Sequence, residues 1–253
     1  MLEVSKKVKD KYKSYDIGGT ITIKIGDDVY TDTDLVSDSL KITESICSKD
    51  VLDFSCVEAN KAVFQLAKES GNIKDLIDKN VYIFQTVEGT EVPLGNYTVY
   101  EAELDGDYFT TVTCYDYTKK LIDTDISDWW NAELVFPLTV KDLTIALCKK
   151  VGILYELPSF WCNSEVPVSK NAYLDDSKAS DILGMIQQVS ACFFSMSRTG
   201  KLKMVVHDAE VSEIPYTHLM EDATIADYST PPIQAVQIRQ SSDDIGASYG
   251  TGN

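Results

Sequence analysis

Alternation of apolar and polar residues with a period of two dominates the first half of the chain, and the texture changes after Asp123, with strong helical periodicity from residue 139. Residues 20–25, TITIKI, set three isoleucines against Thr, Thr and Lys, the pattern of a half-buried strand. The turn Gly26-Asp27-Asp28 leads into Val29-Tyr30, the stretch from Asp32 to Asp38 is acidic and loop-like, and SLKITES at 39–45 alternates again with Leu40 and Ile42 on one side. Residues 94–118, LGNYTVYEAELDGDYFTTVTCYDYT, contain two strand-like runs that meet at Asp105-Gly106. Asp-Gly favours a two-residue type I′ turn, because both central positions need positive φ. With Leu104 opposite Asp107, Glu101 faces Thr110, Val99 faces Val112 and Tyr97 faces Cys114, so that one face is mostly apolar. The other face pairs Thr98 with Thr113, Tyr100 with Thr111 and Ala102 with Phe109. Six or seven short strands spaced by turns before residue 120 predict an antiparallel barrel or sandwich.

Helical signals are fewer. Residues 2–13 predict a short helix with Val4 and Val8 on one face, ended by Gly18-Gly19, an arm rather than part of a core. Residues 57–69 conflict, since their Ala, Glu, Lys, Leu and Gln favour a helix while the flanking VLDF and VYIFQTV are strand-like. Residues 73–79 predict a short helical turn. Thr139 can cap a helix with Asp142 three residues on, Val140, Leu143, Leu147 and Val151 fall on one face, and Gly152 ends the run. A second helix starts near Ser177, with Ile182, Met185, Ile186 and Val189 as its apolar face. It leads into a hairpin, CFFSMSR, Thr199-Gly200, KLKMVV, whose two-residue loop would set Phe194 against Val205 and Ser195 against Met204. Pro231-Pro232 breaks the chain, and IQAVQIRQ reads as a strand followed by a Gly, Ser and Asn-rich tail with nothing to pair with. The chain is therefore expected to stop early in a third unit.

Composition narrows the classes. At 253 residues with 44% hydrophobic content the chain can bury sizeable cores. Forty acidic against 23 basic residues give a net charge of −17, which opposes sequence-independent binding of nucleic acid. The lysine-rich start, MLEVSKKVKDKYKS, has no apolar run after it and is not a secretory signal, so the protein is expected to be made in the cytoplasm. Six cysteines without C-x-x-C or paired metal spacing read as small apolar side chains in a reducing compartment.

Five segments together resemble the N-terminal region of the siphophage and prophage tail hub family, the tail-associated baseplate proteins related to the central hub of contractile phage tails. They are ITIKIGDDVYTDTDLVSDSLKITESIC, VPLGNYTVYEAELDGDYFTTVTCYDYTKKL, LTVKDLTIALCKKVGI, DILGMIQQVSACFFSMSRTGKLKMVV and AVQIRQSSDDIGASYGTGN. The resemblance lies in their order and spacing across nearly the whole chain. It implies an α+β architecture: an N-terminal arm or helix at 1–16, a first β-barrel hub domain at 17–120, an α/β domain of two helices and a hairpin with its linker at 121–230, and the truncated beginning of a second β-barrel at 231–253. It also implies a strand at 61–67. Family membership further implies a homotrimeric ring at the tail tip that joins the tail tube to the tip and frames the DNA channel. The distal tail protein and the tail tube and tape-measure proteins would be its partners, and DNA would pass without specific binding along an acidic lumen.

Enzymatic chemistry finds no support in the sequence. His207 and His218 stand outside any H-E-x-x-H setting, no G-x-S-x-G elbow occurs, and Gly18-Gly19-Thr20 lacks P-loop spacing. Asp123, Asp125 and Asp128 lack the Gly and terminal Glu of a calcium loop, and acidic pairs such as Asp175-Asp176 or Glu221-Asp222 are common in so acidic a chain. No catalytic residue, cofactor or metal is expected. Trp129-Trp130 and Phe160-Trp161, each in a predicted loop, have two open readings. They close the small core of the α/β unit, which is the preferred reading, or they form an interface together with Tyr100 on the hairpin. Two rivals remain: a secreted carbohydrate-binding β module that stacks sugars on Trp129, Trp130 and Trp161, and the non-catalytic part of a tail-associated cell-wall hydrolase.

Overall fold

A computed structural model describes residues 5–13, 18–47, 53–67, 73–106, 108–170, 176–206, 235–238 and 247–250. Val4, Asp107, Asp175, His207, His218, Glu221-Asp222 and Pro231-Pro232 lie outside the described residues. Residues 1–207 form one compact unit and residues 208–253 another.

The first unit opens with helix α1 (Lys6–Tyr12), capped by the Ser5 side chain, which accepts from the Val8 amide. Val8 is fully buried, so this helix is anchored rather than free, and Tyr12 donates to Gln85 Oε1 at 2.7 Å while Lys7 pairs with Glu88. Seven strands follow: β1 (Gly19–Ile25), β2 (Asp28–Thr31), β3 (Lys41–Thr43), β4 (Lys61–Leu66), β5 (Asn80–Val87), β6 (Thr90–Asp105) and β7 (Phe109–Tyr115), with a 3-10 turn at Ile73–Leu76. They form one sheet in the order β2-β1-β5-β6-β7-β4-β3, with every neighbouring pair antiparallel. Residues 61–66 are a strand, as the family resemblance implies. Their helix-favouring composition is overridden because Ala62, Phe64 and Leu66 alternate into the core at 0% exposure.

No closed ring of strands forms among the described residues. The segment after β2 does, however, cross toward β4: Val36 donates to the Gln65 carbonyl at 2.9 Å, Ala67 to the Asp34 carbonyl at 2.8 Å, and Leu35 bridges Leu66. Ile23, Ile25, Phe64, Val81, Ile83, Tyr97, Val99, Val112 and Cys114 fill the single core that this sheet wraps.

The β6–β7 hairpin departs from the expected register. Asp105 pairs with Phe109, so three residues rather than two connect the strands. Tyr100 is an extra, unpaired residue at a bulge, beyond which Val99 faces Cys114 and Thr98 faces Tyr115. Val99 faces Cys114 instead of the expected Val112, a shift of two residues that keeps Tyr97 and Val99 on their own face. Between the bulge and the tip the shift is three, so Ala102 faces Val112 rather than Phe109 and packs on the core side. Tyr97, Val99, Val112 and Cys114 therefore point into the core as expected.

The remainder of the unit comprises α2 (Thr118–Asp123), a π-helical turn at Trp129–Glu133, β8 (Leu138–Thr139), α3 (Val140–Val151), β9 (Leu154–Glu156), β10 (Pro167–Val168), α4 (Ala179–Ser190), β11 (Cys192–Met196) and β12 (Lys201–Val206). As the spacing predicts, Thr139 caps α3 by accepting from the Asp142 amide at 3.0 Å, and Gly152 closes it in the left-handed region. β11, β12 and β9 form a sheet in which β9 runs parallel to β12, and β8 pairs with β10. The short strands β8, β9 and β10 carry no alternation long enough to read from the sequence.

Two expectations here are corrected. Phe194 faces Met204 and Ser195 faces Lys203, one residue away from the two-residue-loop register. Ser197 donates to the Lys201 carbonyl and Gly200, at φ +76°, donates to the Ser197 carbonyl, which makes a three-residue loop with glycine in the left-handed position. The buried face of α4 is also rotated: Ile182, Leu183, Ile186, Gln187 and Ser190 are inside, whereas Met185 and Val189 are exposed. Gln187 is the cause. Its Nε2 donates to the carbonyls of Phe54 at 2.9 Å and Cys56 at 2.8 Å, and its Oε1 accepts from the Phe194 amide at 2.7 Å. Gly184 lies so close to this segment that a Cβ would stand 2.7 Å from the Ser55 carbonyl oxygen.

Cys56, Cys114, Cys148 and Cys192 are buried thiols, of which Cys56 donates to Glu58 Oε1 at 3.3 Å, Cys47 is half-buried and Cys162 is exposed. In the second unit β13 (Ala235–Ile238) pairs antiparallel with β14 (Ala247–Gly250), so the tail does supply a partner for the strand it follows.

Replacing Gln187 with Leu leaves two carbonyls and one amide buried without partners, at about 1–3 kcal/mol each. Urea unfolding of Q187L should show a loss of at least about 3 kcal/mol. Wild-type stability in that variant would refute the clamp.

Candidate functional site

An open groove of about 1310 Å³ lies in the first unit between α1, the segment after β3, and the β11–β12 hairpin with β9. Five cations line it, Lys9, Lys13, Arg198, Lys201 and Lys203, against two acids, Glu44 and Glu156. In a chain of net charge −17 this is a local reversal of sign. Each cation has a structural reason to be there. The cap of α1 by Ser5 and the burial of Val8 turn Lys9 and Lys13 outward. The alternation of β12 buries Leu202 and leaves Lys201 and Lys203 on the open side, astride Glu156 at 3.6 and 3.4 Å. Arg198 sits in the tight loop and binds Glu44 through two parallel hydrogen bonds of 3.1 Å each. Tyr12, Ile46 and Met196 supply apolar surface between the charges.

Beside the groove, the turn from β7 into α2 contains a buried carboxylate. Asp116 is 3% exposed; its Oδ1 accepts from the Thr118 amide at 2.9 Å, and its Oδ2 has no hydrogen-bond partner among the described residues. Burial pushes its pKa up to about 6, opposed by hydrogen bonds from Thr118 and Asn60.

The five residues named as a possible interface separate cleanly. Trp129, Trp130 and Trp161 are buried, the first two within the core of the helical part. Trp130 packs edge-on against Phe136 at 5.0 Å, and Trp161 donates from Nε1 to Ser190 Oγ at 3.2 Å. None of the three presents a ring face to a sugar, which removes the stacking platform of the carbohydrate-binding rival. Phe160 and Tyr100 are exposed, at 69% and 54%. Tyr100 stands edge-on to Tyr115 at 5.4 Å with the Lys119 ammonium 4.9 Å above its ring, and Lys61, Lys24 and Lys120 sit likewise over Tyr115, Phe84 and Tyr117.

Sequence reasoning missed the groove, because its cations come from residues 9–13 and 198–203, which only the fold brings together. It also passed over the hairpin tip, where Leu104, Tyr108 and Phe109 are exposed beside Glu101, Glu103 and Asp105. Among the described residues no group of three or more His, Cys, Asp or Glu side chains could hold a metal ion, and no helix is long and apolar enough to cross a membrane.

No family model and no curated protein sequence matches this chain. Solved structures share its fold. The prophage tail protein gp18 from Listeria monocytogenes EGD-e superposes with a TM-score of 0.51 at 9% identity, over 91% of this chain and 67% of its own. The 43 kDa tail protein of prophage MuSo2 from Shewanella oneidensis gives a TM-score of 0.48 at 15% identity, and a tail protein from Neisseria meningitidis MC58 gives 0.49 at 13%. These two matches take in 76% and 74% of this chain, which spans only 56% and 50% of theirs. The likeness is one of fold: a mixed α+β chain with a large antiparallel sheet, of the kind found in prophage tail proteins.

Because the folded Asp116 holds its proton more tightly than the unfolded chain does, stability falls as pH rises from about 4 to 6 and stays lower above that range. Asp116→Asn keeps an acceptor for Thr118 and removes the buried charge. Denaturant titrations across pH should show this slope flattened and a gain of up to about 3 kcal/mol at pH 7, and an unchanged slope would exclude Asp116 as its source. Trp130→Ala should cost about 3–5 kcal/mol in the same assay, as for any buried Trp truncation.

Proposed function

We propose that this chain is a non-enzymatic structural component of a phage or prophage tail, working as a hub at the tail tip. The observation that carries the reading is the fold shared with the prophage tail protein gp18 over 91% of this chain. That likeness supports a tail role, and the hub assignment adds the order and spacing of the five sequence segments given above.

In this reading the seven-stranded sheet acts as a barrel. The backbone hydrogen bonds from residues 34–36 to β4, across the gap between β2 and β3, support its closure. Three chains would form a ring continuous with the tail tube, with residues 231–253 opening a second barrel, and the ring would contact the distal tail, tail tube and tape-measure proteins. The protein would be made in the bacterial cytoplasm and end in the virion tail tip. DNA would pass through the ring without being gripped, since a net charge of −17 repels phosphate. The role is one of geometry and charge, with no bond made or broken.

Deleting the gene from an inducible phage or prophage and imaging the particles tests the reading. Tails should be missing or lack an ordered tip, and expression in trans should restore them. Particles with complete, infective tails in the deletion strain would overturn the proposal.

A further inference from the structure

We propose that the acidic, aromatic tip of the β6–β7 hairpin of one copy seats in the cationic groove of a second copy. The inference deepens the assembly reading above and rests on it, by naming the surfaces through which subunits meet.

The tip has the composition of an inserted element. Glu101, Glu103 and Asp105 give it three negative charges, and Leu104, Tyr108 and Phe109 are 59%, 75% and 41% exposed. Such a cluster of large apolar side chains on a projecting hairpin marks a surface that another body covers. The groove offers the complement: a surplus of three positive charges, from five cations against two acids, with Tyr12, Ile46 and Met196 between them. Opposite charge selects the partner and orients its approach, and the aromatic side chains supply burial once it has arrived.

A chain cannot satisfy its own groove. Both features lie along β4 but at opposite ends of it. Asn60, immediately before β4, lines the groove, whereas Gln65, near its far end, reaches Asp105 of the tip at 3.3 Å. Five residue steps of about 3.3 Å set the two roughly 17 Å apart. A surface at one end that fits a different surface at the other is a heterologous interface, which makes a ring when its rotation closes and a filament when it does not. The groove cations are also held in place in advance. Lys201 and Lys203 are braced by Glu156, and Arg198 by Glu44, so little side-chain freedom is lost on docking.

Light scattering on the full chain over a range of concentrations tests the proposal. At low ionic strength the wild type should exceed the mass of one chain, increasingly so with concentration, and added salt should reduce this. E103K/D105K and K201E/K203E should each weaken association at least roughly tenfold. An equimolar mixture of the two should restore it, since each reversed surface then meets its complement. L104A/Y108A, which leaves the charges in place, should weaken it as well. Circular dichroism and melting confirm that each variant is folded, as expected for changes at exposed positions.

A wild type that stays at the mass of one chain, or an E103K/D105K variant that associates like the wild type, overturns the proposal. So does a short DNA duplex that binds the wild type and not K201E/K203E while the protein remains monomeric, since the groove would then take phosphate. Failure here with a tail defect still present in the deletion strain removes the hairpin assignment alone, whereas intact tails in that strain remove the tail reading itself.

Discussion

One fully buried side chain joins the strand-rich first half of the large unit to its helical second half through two hydrogen bonds, with a third that ties it to its own half. Gln187 projects from α4, donates to two carbonyls of the segment at 54–56 and accepts from the Phe194 amide of β11, so the carboxamide is used on both its donor and its acceptor side. Around this clamp the other close contacts follow. Gly184 allows the helix to touch the Ser55 carbonyl, Phe54 packs on Phe193 with ring centroids 4.8 Å apart, and Val57 packs against the core of the helical part. A buried polar group is stable only when fully paired, which makes this a site where orientation is specified as well as held. The same clamp sets the rotation of α4, and through α4 the position of the β11–β12 hairpin whose loop borders the groove.

The sheet shows how an antiparallel structure tolerates local error in pairing. β6 is sixteen residues long and serves two partners, β5 with its first part and β7 with its second, with a bulge in each ladder. The bulge at Tyr100 adds an unpaired residue, turns that ring outward toward Lys119 and increases the local twist. Because the sheet coils this strongly, one core can be wrapped by strands from residue 19 to residue 115. The outward face then carries Tyr, Thr and Lys in pairs of ring and ammonium. The net negative charge of the chain is distributed unevenly: the hairpin tip is acidic, while the groove carries more cations than acids.

Much of this fold was legible from periodicity and local chemistry. The strand at 20–25, the cap of α3 by Thr139 and its closure at Gly152 all rest on interactions within a few residues, and they stand where the sequence places them. The inward positions of Tyr97 and Val99 were also legible, since face depends on the parity of the register and an error of two residues preserves parity; the bulge makes the error three nearer the tip, which is why Ala102 was placed on the outer face. Hairpin loop lengths were not. Asp105-Gly106 and Thr199-Gly200 each suit a two-residue turn, but in both hairpins strand pairing settles on three. The face of α4 was misjudged because periodicity counts Met185 and Val189 as core and Gln187 as surface, whereas burial of a glutamine depends on partners 131 and 133 residues away.

The sequence by itself determined what short-range physics can determine: which segments alternate, where helices begin and end, that the chain is acidic, and the order of segments that resembles the tail hub family. Tertiary structure decided which polar groups are buried and which charges meet. The tryptophans of the predicted loops lie buried, and Lys9 and Lys13, within and at the end of α1, share a groove with a loop some 190 residues later in the chain. A groove is built from residues far apart in sequence, each of which looks like an ordinary solvated lysine or arginine in its own segment. Only the closure of the fold gives such residues a common electrostatic meaning.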